Sequence, residues 1–312
     1  MPITKSIIES YENYGRCVKI SNGTIEAYVT VDVGPRIIRF AYCGGENVLF
    51  NDLDRRSVNG GEAYDRYFYE GAKWYLYGGH RLWITPESAP ETYYPDNDEV
   101  AFEYTENGAV FTPREQLGNK IQMQTELEMS ENSNDMRIIH RVTNTGDKNR
   151  QFALWGVTVM NQGGLEIIPQ NTDDTGLLPN RKITLWPYTN VTDERFYFGR
   201  KYITVRQNPH AKPGAFKMGS DNTSGTAAYL HGDDLFVCRY DYIKDGEYPD
   251  GGVSFETYTN SLVLELETLS VIHDKAPGET AEYEIRWSLE KYSKPTDGRD
   301  ENALDALMNS VK

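Results

Sequence analysis

The sequence predicts an all-β protein made of large antiparallel sheets. Short runs of alternating or β-branched residues recur along almost the whole 312-residue chain, and tight-turn dipeptides separate them. Tyrosine, a strand-favouring residue, occurs 22 times, while 27 glycines and 14 prolines supply the turns. Strands joined in this way favour a sandwich or a barrel. No repeat, low-complexity tract or linker divides the chain, so we expect a single domain over residues 1–312.

The first elements are defined by turns. Residues 4–14 have helical spacing and predict a short helix. The runs at 17–21, 25–31 and 36–42 then predict three strands, because Asn22-Gly23 and Gly34-Pro35 are turn dipeptides that separate them.

The next segment, residues 61–98, differs in composition. It is rich in aromatic residues, glycine and proline and has little periodicity. We therefore predict long loops over one end of the sheet, where binding sites are commonly found.

Alternation returns after this segment. Predicted strands cover residues 101–104, 108–112, 122–129, 136–143, 202–206, 226–230, 235–240, 252–258, 262–269 and 281–289. The run at 151–160 is more continuously apolar, which predicts a strand buried on both faces. Helical spacing appears again only at residues 301–311.

Charge and composition exclude several classes of function. The formal charge of −15 opposes binding to a phosphate backbone, so no nucleic-acid partner is expected. The odd number of cysteines, three, argues against a disulfide framework. With no apolar leader and no run of about 18 apolar residues, we expect a cytoplasmic protein without a membrane partner. No metal or phosphate-loop motif is present, and no cofactor is expected.

Three stretches carry a resemblance to a known family. They are residues 32–40 (DVGPRIIRF) with 44–50 (GGENVLF), residues 78–83 (GGHRLW) with Pro86-Glu87, and residues 264–269 (LELETL) followed by Pro277-Gly278-Glu279. In this order they resemble the aldose-epimerase, or galactose mutarotase-like, superfamily. They are most similar to a branch known mainly as domains of unknown function. The resemblance implies a supersandwich of large, twisted antiparallel sheets.

The resemblance also implies a mechanism and a base. Mutarotation needs a base for the anomeric hydroxyl and an acid for the ring oxygen. In the superfamily a glutamate on the penultimate strand is the base, and Glu267 matches it through the Glu-Thr dipeptide. Strand alternation puts Glu265 on the same face as Glu267, and Glu256-Thr257 repeats the dipeptide one strand earlier. Glu267 is the predicted base, with Glu265 and Glu256 as alternatives; a solvated polar face would explain the same pattern.

The acid and the first ligand contacts are expected in the glycine-flanked segment. His80 is the predicted acid because an unperturbed imidazole titrates near pH 6.5. Arg81 offers a planar set of donors for hydroxyls or a carboxylate. Alternatively, His80 is a turn residue and Arg81 pairs with Glu87 or Glu91.

Further substrate contacts are predicted from residue type. Trp74, Trp83 and Trp155 could stack on a sugar ring, although each would also suit a core. The second histidine of the active superfamily members has no counterpart on strand 151–160, and His140 on the preceding strand is expected to be structural. Lys217 is expected near the pocket instead, which with Arg81 would suit an acidic or phosphorylated sugar. Arg36, in the first stretch of the resemblance, is the remaining candidate.

The function predicted from these residues is the interconversion of anomers of a free sugar or sugar acid, with a small carbohydrate as the partner. The alternative is a carbohydrate-binding protein that keeps the fold without turnover. Glycan cleavage, which needs two carboxylates flanking a bond, is a third and more distant possibility.

Overall fold

The fold is a sandwich of two ten-stranded antiparallel sheets. The structure, a computed structural model, describes residues 2–212 and 214–311. In chain order the elements are β1 (Thr4–Ile8), β2 (Cys17–Ser21), β3 (Ile25–Thr30), β4 (Ile37–Tyr42), β5 (Val58–Gly60), α1 (Glu62–Tyr67), β6 (Lys73–Tyr75), β7 (His80–Ile84), β8 (Ala101–Tyr104), β9 (Gly108–Thr112), β10 (Ile121–Met129), β11 (Asp135–Asn144), β12 (Arg150–Phe152), β13 (Leu154–Met160), β14 (Leu165–Pro169), β15 (Ile183–Leu185), β16 (Phe196–Phe198), β17 (Tyr202–Arg206), β18 (Phe216–Ser220), β19 (Thr226–His231), β20 (Asp234–Tyr240), β21 (Phe255–Thr259), β22 (Leu264–Leu269), β23 (His273–Lys275), β24 (Thr280–Lys291) and α2 (Glu301–Asn309).

The order of strands places distant parts of the chain side by side. The first sheet runs β1-β2-β3-β4-β7-β13-β22-β21-β18-β15, and the second runs β16-β17-β14-β19-β20-β24-β11-β10-β9-β8. Two short pairs, β12-β23 and β5-β6, complete the strand structure. The centre of the first sheet is therefore formed by β7, β13, β22 and β21, which come from three separate regions of the sequence, since β21 and β22 follow one another in the chain.

Alternating side chains form the main core between the two sheets. Along β10 every second residue is buried, as expected for a strand with one apolar face. Trp287 of β24 is completely buried in this layer. Its ring lies 5.5 Å from that of Phe40 in the first sheet and 5.0 Å from that of Phe236 in the second. These contacts join the sheets through aromatic packing.

The structure confirms the all-β prediction and corrects two of its elements. Residues 4–14 do not form a helix, because β1 pairs with β2 at the edge of the first sheet. Residues 61–98 are not only loops: they contain α1, β6 and β7, and β7 lies at the centre of the first sheet. Its five residues HRLWI are buried on both faces, so no alternation of polar and apolar residues marks it in the sequence.

Other predicted elements are confirmed. The run at 151–160 contains β13, which is buried along its whole length, and a separate short strand β12. The C-terminal helical spacing corresponds to α2, whose Leu304 and Leu307 are buried against Tyr202 and neighbouring residues. None of the helices in the described ranges is long and apolar enough to cross a membrane.

Helix α2 begins with a side-chain cap that can be tested. The Asp300 carboxylate accepts hydrogen bonds from the backbone N–H groups of Asn302 and Ala303. We expect Asp300→Ala to lower the free energy of unfolding by about 1 kcal/mol, because two helix-end donors lose their partner. Urea unfolding measures this loss, and Asp300→Asn, which keeps an acceptor oxygen, should recover most of it. Equal stability of the alanine variant and the wild type would contradict the capping role.

Candidate functional site

The candidate site is a pocket on the face of the first sheet that points away from the second sheet. Its volume is about 420 Å³. The polar residues that line it are Ser57, Asn59, Arg81, Glu87, Lys217, Asn260 and Glu265, and the aromatic ones are Trp74, Trp83, Tyr93, Trp155, Trp186, Tyr188 and Tyr258. This combination of flat apolar rings and hydrogen-bonding groups suits a small polar ligand.

Strand register brings the charged residues onto this face. Glu267 of β22 lies directly opposite Glu256 of β21 on one side and Val157 of β13 on the other. Val157 in turn lies opposite Arg81 of β7. Because paired residues of neighbouring strands share a face, these side chains form one row across four strands. The predicted alternation of β22 is confirmed, since Leu264 and Leu266 belong to the inter-sheet core.

The predicted tryptophans lie together in one aromatic cluster. The ring of Trp83 lies 5.6 Å from that of Trp74 and 5.3 Å from that of Trp155. Tyr93 packs edge-on against Trp83 at 5.0 Å and against Trp74 at 5.1 Å. All three tryptophans are buried to at least nine tenths, so they contribute both to packing and to the wall of the pocket.

Lys217 is held between two buried carboxylates. Its Nζ lies 2.8 Å from Oε2 of Glu256 and 3.1 Å from Oε2 of Glu267. The same ammonium lies over the rings of Trp155, at 4.6 Å, and Trp186, at 4.8 Å. Oε2 of Glu267 also accepts a hydrogen bond of 2.8 Å from the indole N–H of Trp155. One cation is therefore paired with two buried acids.

The protonation of this cluster follows from burial. Burial raises the pKa of Glu267 to about 7, even though the charge of Lys217 opposes the shift. Burial also raises the pKa of Glu256, and the Glu267 carboxylate adds to that rise. For Lys217 burial alone would lower the pKa, but the carboxylates of Glu267 and Glu256 outweigh it and raise the pKa. Near neutral pH the lysine is therefore charged, and burial favours the protonated forms of the two carboxyl groups.

Arg81 forms the second charged centre. Its Nη2 donates to Oε1 of Glu265 at 3.0 Å, so it pairs with neither Glu87 nor Glu91. The guanidinium stacks over Trp83, at 4.0 Å, and Trp74, at 5.5 Å. Its Nε and Nη1 are buried and have no partner in residues 2–212 and 214–311. Two donors beside the pocket are therefore available for a ligand.

The three candidate bases differ in how deeply their side chains are buried below the pocket. Glu265 and Lys217 both line the pocket. Glu267 is 0% exposed and Glu256 is 1% exposed, because Lys217, Trp155 and neighbouring side chains cover them. The predicted base, Glu267, thus lies below the surface of the pocket, whereas the alternative Glu265 contacts it.

The structure places His80, the predicted acid, away from this site and on the other side of the sheet from Glu267. As a neighbour of Arg81 on a strand, it points to the opposite face, where its ring lies 5.0 Å from Trp287 in the inter-sheet core. Its Nδ1 is 2.9 Å from Oγ1 of Thr158, and its Nε2 is 2.8 Å from Nε2 of His140. Burial lowers the pKa of His80, and His140 lowers it further. A buried, neutral imidazole with both nitrogens engaged is structural.

Arg36 and His140 also lie in the inter-sheet region. Arg36 forms an ion pair with Asp96 at 2.6 Å and does not line the aromatic pocket, so it is not a ligand residue there. His140 was expected to be structural, and its Nδ1 is 3.1 Å from Oγ1 of Thr125. Burial lowers its pKa to about 3.

Several pocket residues were not identified from the sequence. Trp186 and Tyr188 come from the segment that follows β15, and Tyr258 comes from β21. The Trp186-Pro187-Tyr188 run, which is aromatic within an otherwise polar stretch, was the available signal for the first two. Tyr258 is the partner of both Glu265 and Lys217 in the sheet register, which only the strand order reveals.

The raised pKa of Glu267 predicts a dependence of stability on pH. A carboxyl group with a pKa of about 7 in the fold and 4.5 as its ordinary value binds its proton more tightly when folded. Its stabilising effect is full below pH 4.5 and is lost as the pH rises through about 7. We expect Glu267→Gln to remove this loss, a relative gain on the order of 2–3 kcal/mol between the two pH values. Urea unfolding across this range tests it; parallel pH profiles for the two proteins would contradict it.

Comparison with known proteins gives similarity in structure only. No protein-family model and no curated protein sequence matches the chain. Among solved structures, a candidate aldose 1-epimerase from Klebsiella pneumoniae has a TM-score of 0.58 at 13% identity, covering 99% of this chain and 86% of its own. A galactose mutarotase-like protein from Lactobacillus casei has a TM-score of 0.56 at 10% identity, covering 88% of this chain and 100% of its own.

A longer protein contains a similar unit. A TPR-domain containing protein from Parabacteroides distasonis has a TM-score of 0.56 at 13% identity over 90% of this chain. The chain spans about half of that protein's length, 48%. At these identities the likeness establishes the architecture and no activity. Together with the two ten-stranded sheets, it shows that this chain has the galactose mutarotase-like fold.

Proposed function

We propose that the protein binds a sugar in the aromatic pocket and interconverts its anomers by acid–base catalysis. The observation that carries the proposal is the pairing of two charged centres along one pocket wall: Glu265 with Arg81, and Lys217 with its buried carboxylates. In the register of the sheet, Tyr258 alone separates Glu265 from Lys217. A base and a proton donor thus line the same pocket two strands apart.

The proposed reaction uses the two groups that line the pocket. The Glu265 carboxylate takes the proton of the anomeric hydroxyl, and the bond between C1 and the ring oxygen breaks. The ring oxygen takes a proton from the Lys217 ammonium, which gives the open-chain aldehyde. After rotation about the C1–C2 bond, the amine of Lys217 takes its proton back, the ring closes, and Glu265 returns the first proton to the new anomeric oxygen.

Glu267 and Glu256 have a supporting role in this proposal. They are too deep to reach the sugar, but both contact the ammonium that does. A proton held by one of these carboxyl groups can be passed to Lys217 when it has given up its own. The proposed base is therefore Glu265 and not Glu267, the base predicted from the sequence. The two residues lie two positions apart on the same face of β22.

Charge in the pocket favours a neutral sugar. Each cation is already paired: Arg81 with one carboxylate and Lys217 with two. An acidic or phosphorylated sugar, the class expected from the sequence, would have to compete with Glu265 for Arg81. A neutral sugar can instead use the unpaired N–H groups of Arg81 through its hydroxyls and stack its apolar face on an aromatic ring of the pocket wall.

The second candidate function is sugar binding without turnover. The complete burial of Glu267 and the position of His80 between the sheets favour it, because neither residue of the pair expected from the superfamily reaches the pocket. In that case Glu265 and Arg81 would orient the ligand by hydrogen bonds alone.

A panel of free sugars distinguishes the two candidates and the ligand class. We expect saturation-transfer NMR to show binding of at least one neutral aldose, and its uronic acid to bind more weakly. Exchange spectroscopy on the same samples should show faster interconversion of the anomers. Binding without acceleration would support the second candidate; stronger binding of the uronic acid would contradict the charge argument.

A further inference from the structure

A second cavity lies between the two sheets, across β7 from the aromatic pocket. Its volume is about 50 Å³, and His80 and Leu82 of β7 contribute to its wall. Arg114 and Asp98 also line it; they pair at 3.3 Å, and their side chains are 71% and 55% exposed. The cavity therefore reaches the surface beside this ion pair.

Arg36 presents an unused edge to this cavity. The residue is 2% exposed, and its Nη1 donates to Oδ2 of Asp96 at 2.6 Å and to the carbonyl of Pro35 at 3.0 Å. Its Nε and Nη2 have no partner in the described part of the chain. These two atoms form the edge of a guanidinium that can hold two acceptor oxygens side by side.

Asp96 adds an unused acceptor beside these donors. Its Oδ1 is buried and, within the ranges described, also lacks a partner. The two histidines of the wall offer no competing group, because His80 and His140 are hydrogen-bonded to each other and to Thr158 and Thr125. The cavity therefore needs a ligand that accepts from Arg36 and donates to Asp96.

We infer that this cavity binds a vicinal diol, as found in a small polyol or at the end of a sugar chain. One hydroxyl accepts from Arg36 and donates to Oδ1 of Asp96, and its neighbour accepts from the second free N–H of Arg36. A carboxylate would suit Arg36 but has no proton for Asp96, and the negative charge of a carboxylate or a phosphate would repel that residue. The 50 Å³ is the space open to the centres of water-sized spheres, and at about 10–15 Å³ for each water it holds roughly three to five water molecules, which a three-carbon polyol can replace.

This inference is independent of the proposed function. Arg81 and Trp83 line both sites, but Arg36 and Asp96 line the inter-sheet cavity and not the aromatic pocket, whereas Glu265 and Lys217 line the aromatic pocket and not the cavity. A ligand in one site can therefore be distinguished from a ligand in the other by variants that change a single site.

The test uses the full chain and four small probes. In an NMR titration with glycerol, 1,2-propanediol, 1,3-propanediol and acetate, we expect glycerol and 1,2-propanediol to bind. 1,3-Propanediol, which has the same atoms without adjacent hydroxyls, and acetate should bind at least tenfold more weakly. Arg36→Lys keeps the charge opposite Asp96 but removes the flat edge, and should weaken glycerol binding about tenfold or more.

Two further variants keep the test decisive. Val29→Phe, at an apolar position of the cavity wall, should abolish binding if Arg36→Lys proves too unstable to study. Glu265→Gln, in the aromatic pocket, should leave glycerol binding here unchanged, as judged by shifts of residues around Arg36. Equal binding of both propanediols, preferred binding of acetate, or a crystal structure grown with glycerol that shows only water in the cavity would overturn the inference.

Discussion

Replacing Lys217 with methionine is expected to destabilise the fold by about 3–5 kcal/mol near neutral pH. The substitution leaves the carboxyl groups of Glu256 and Glu267 buried without their cation. The free energy of unfolding at about pH 8, from urea denaturation, measures this effect.

The loss should depend on pH in a defined direction. Burial already raises the pKa of both carboxyl groups, whereas the charge of Lys217 lowers it. Removing the lysine should therefore raise the pKa of both groups further. A carboxyl with a raised pKa stabilises the fold below its ordinary pKa of 4.5 and loses that effect as the pH rises. The destabilisation should therefore be largest near pH 8 and should shrink towards pH 4.5.

Matched variants separate charge from packing. Lys291→Met removes an exposed lysine that pairs with Asp234, and should change stability by less than about 1 kcal/mol. The triple variant with Glu256→Gln and Glu267→Gln should recover stability lost in Lys217→Met, because no buried charge remains. A destabilisation that is the same at both ends of the pH range would indicate lost packing rather than an unpaired charge.

Replacing Glu265 with glutamine is expected to slow anomer exchange by about 10²- to 10⁴-fold, the usual contribution of a general base. Glutamine keeps the shape and one acceptor oxygen for Arg81 but cannot take the anomeric proton. Exchange spectroscopy on a neutral aldose measures the rate, and saturation-transfer NMR checks that the sugar still binds.

The exchange rate of Glu265→Gln is to be compared with that of Glu267→Gln, because this comparison shows which glutamate is the base. Because Glu267 contacts Lys217 but not the pocket, its replacement should alter the pH profile and reduce the rate less than Glu265→Gln does. Glu282→Gln, on an exposed ion pair of β24, should leave the rate unchanged. A larger loss with Glu267→Gln than with Glu265→Gln would return the role of base to Glu267.

Much of the fold was predictable because its strands obey simple periodicity. Strand β10 alternates between buried and half-buried residues, and such a pattern is readable without a structure. Strand β7 was missed because both of its faces are buried, one by the core and one by the pocket. Strand β1 was missed because its spacing also fits a helix, and pairing with β2 decided the outcome.

The site was predictable in composition but not in depth. Residue chemistry identified Arg81, Lys217 and the glutamates of β21 and β22, and the structure brings them together. Alternation along β22 gave the face that Glu265 and Glu267 share, but it carries no information about what covers each residue. His80 was misplaced for a related reason: the sequence of β7 does not reveal which of two buried faces is the pocket.

The most direct test of the central claim is the exchange rate between the anomers of a neutral aldose in the presence of the wild-type protein and of Glu265→Gln, measured by NMR exchange spectroscopy. We predict that the wild type accelerates the interconversion and that the variant binds the sugar but does not. An unchanged exchange rate with the wild type, at sugar concentrations where binding is observed, would contradict catalysis at this site and leave a carbohydrate-binding protein on a galactose mutarotase-like fold.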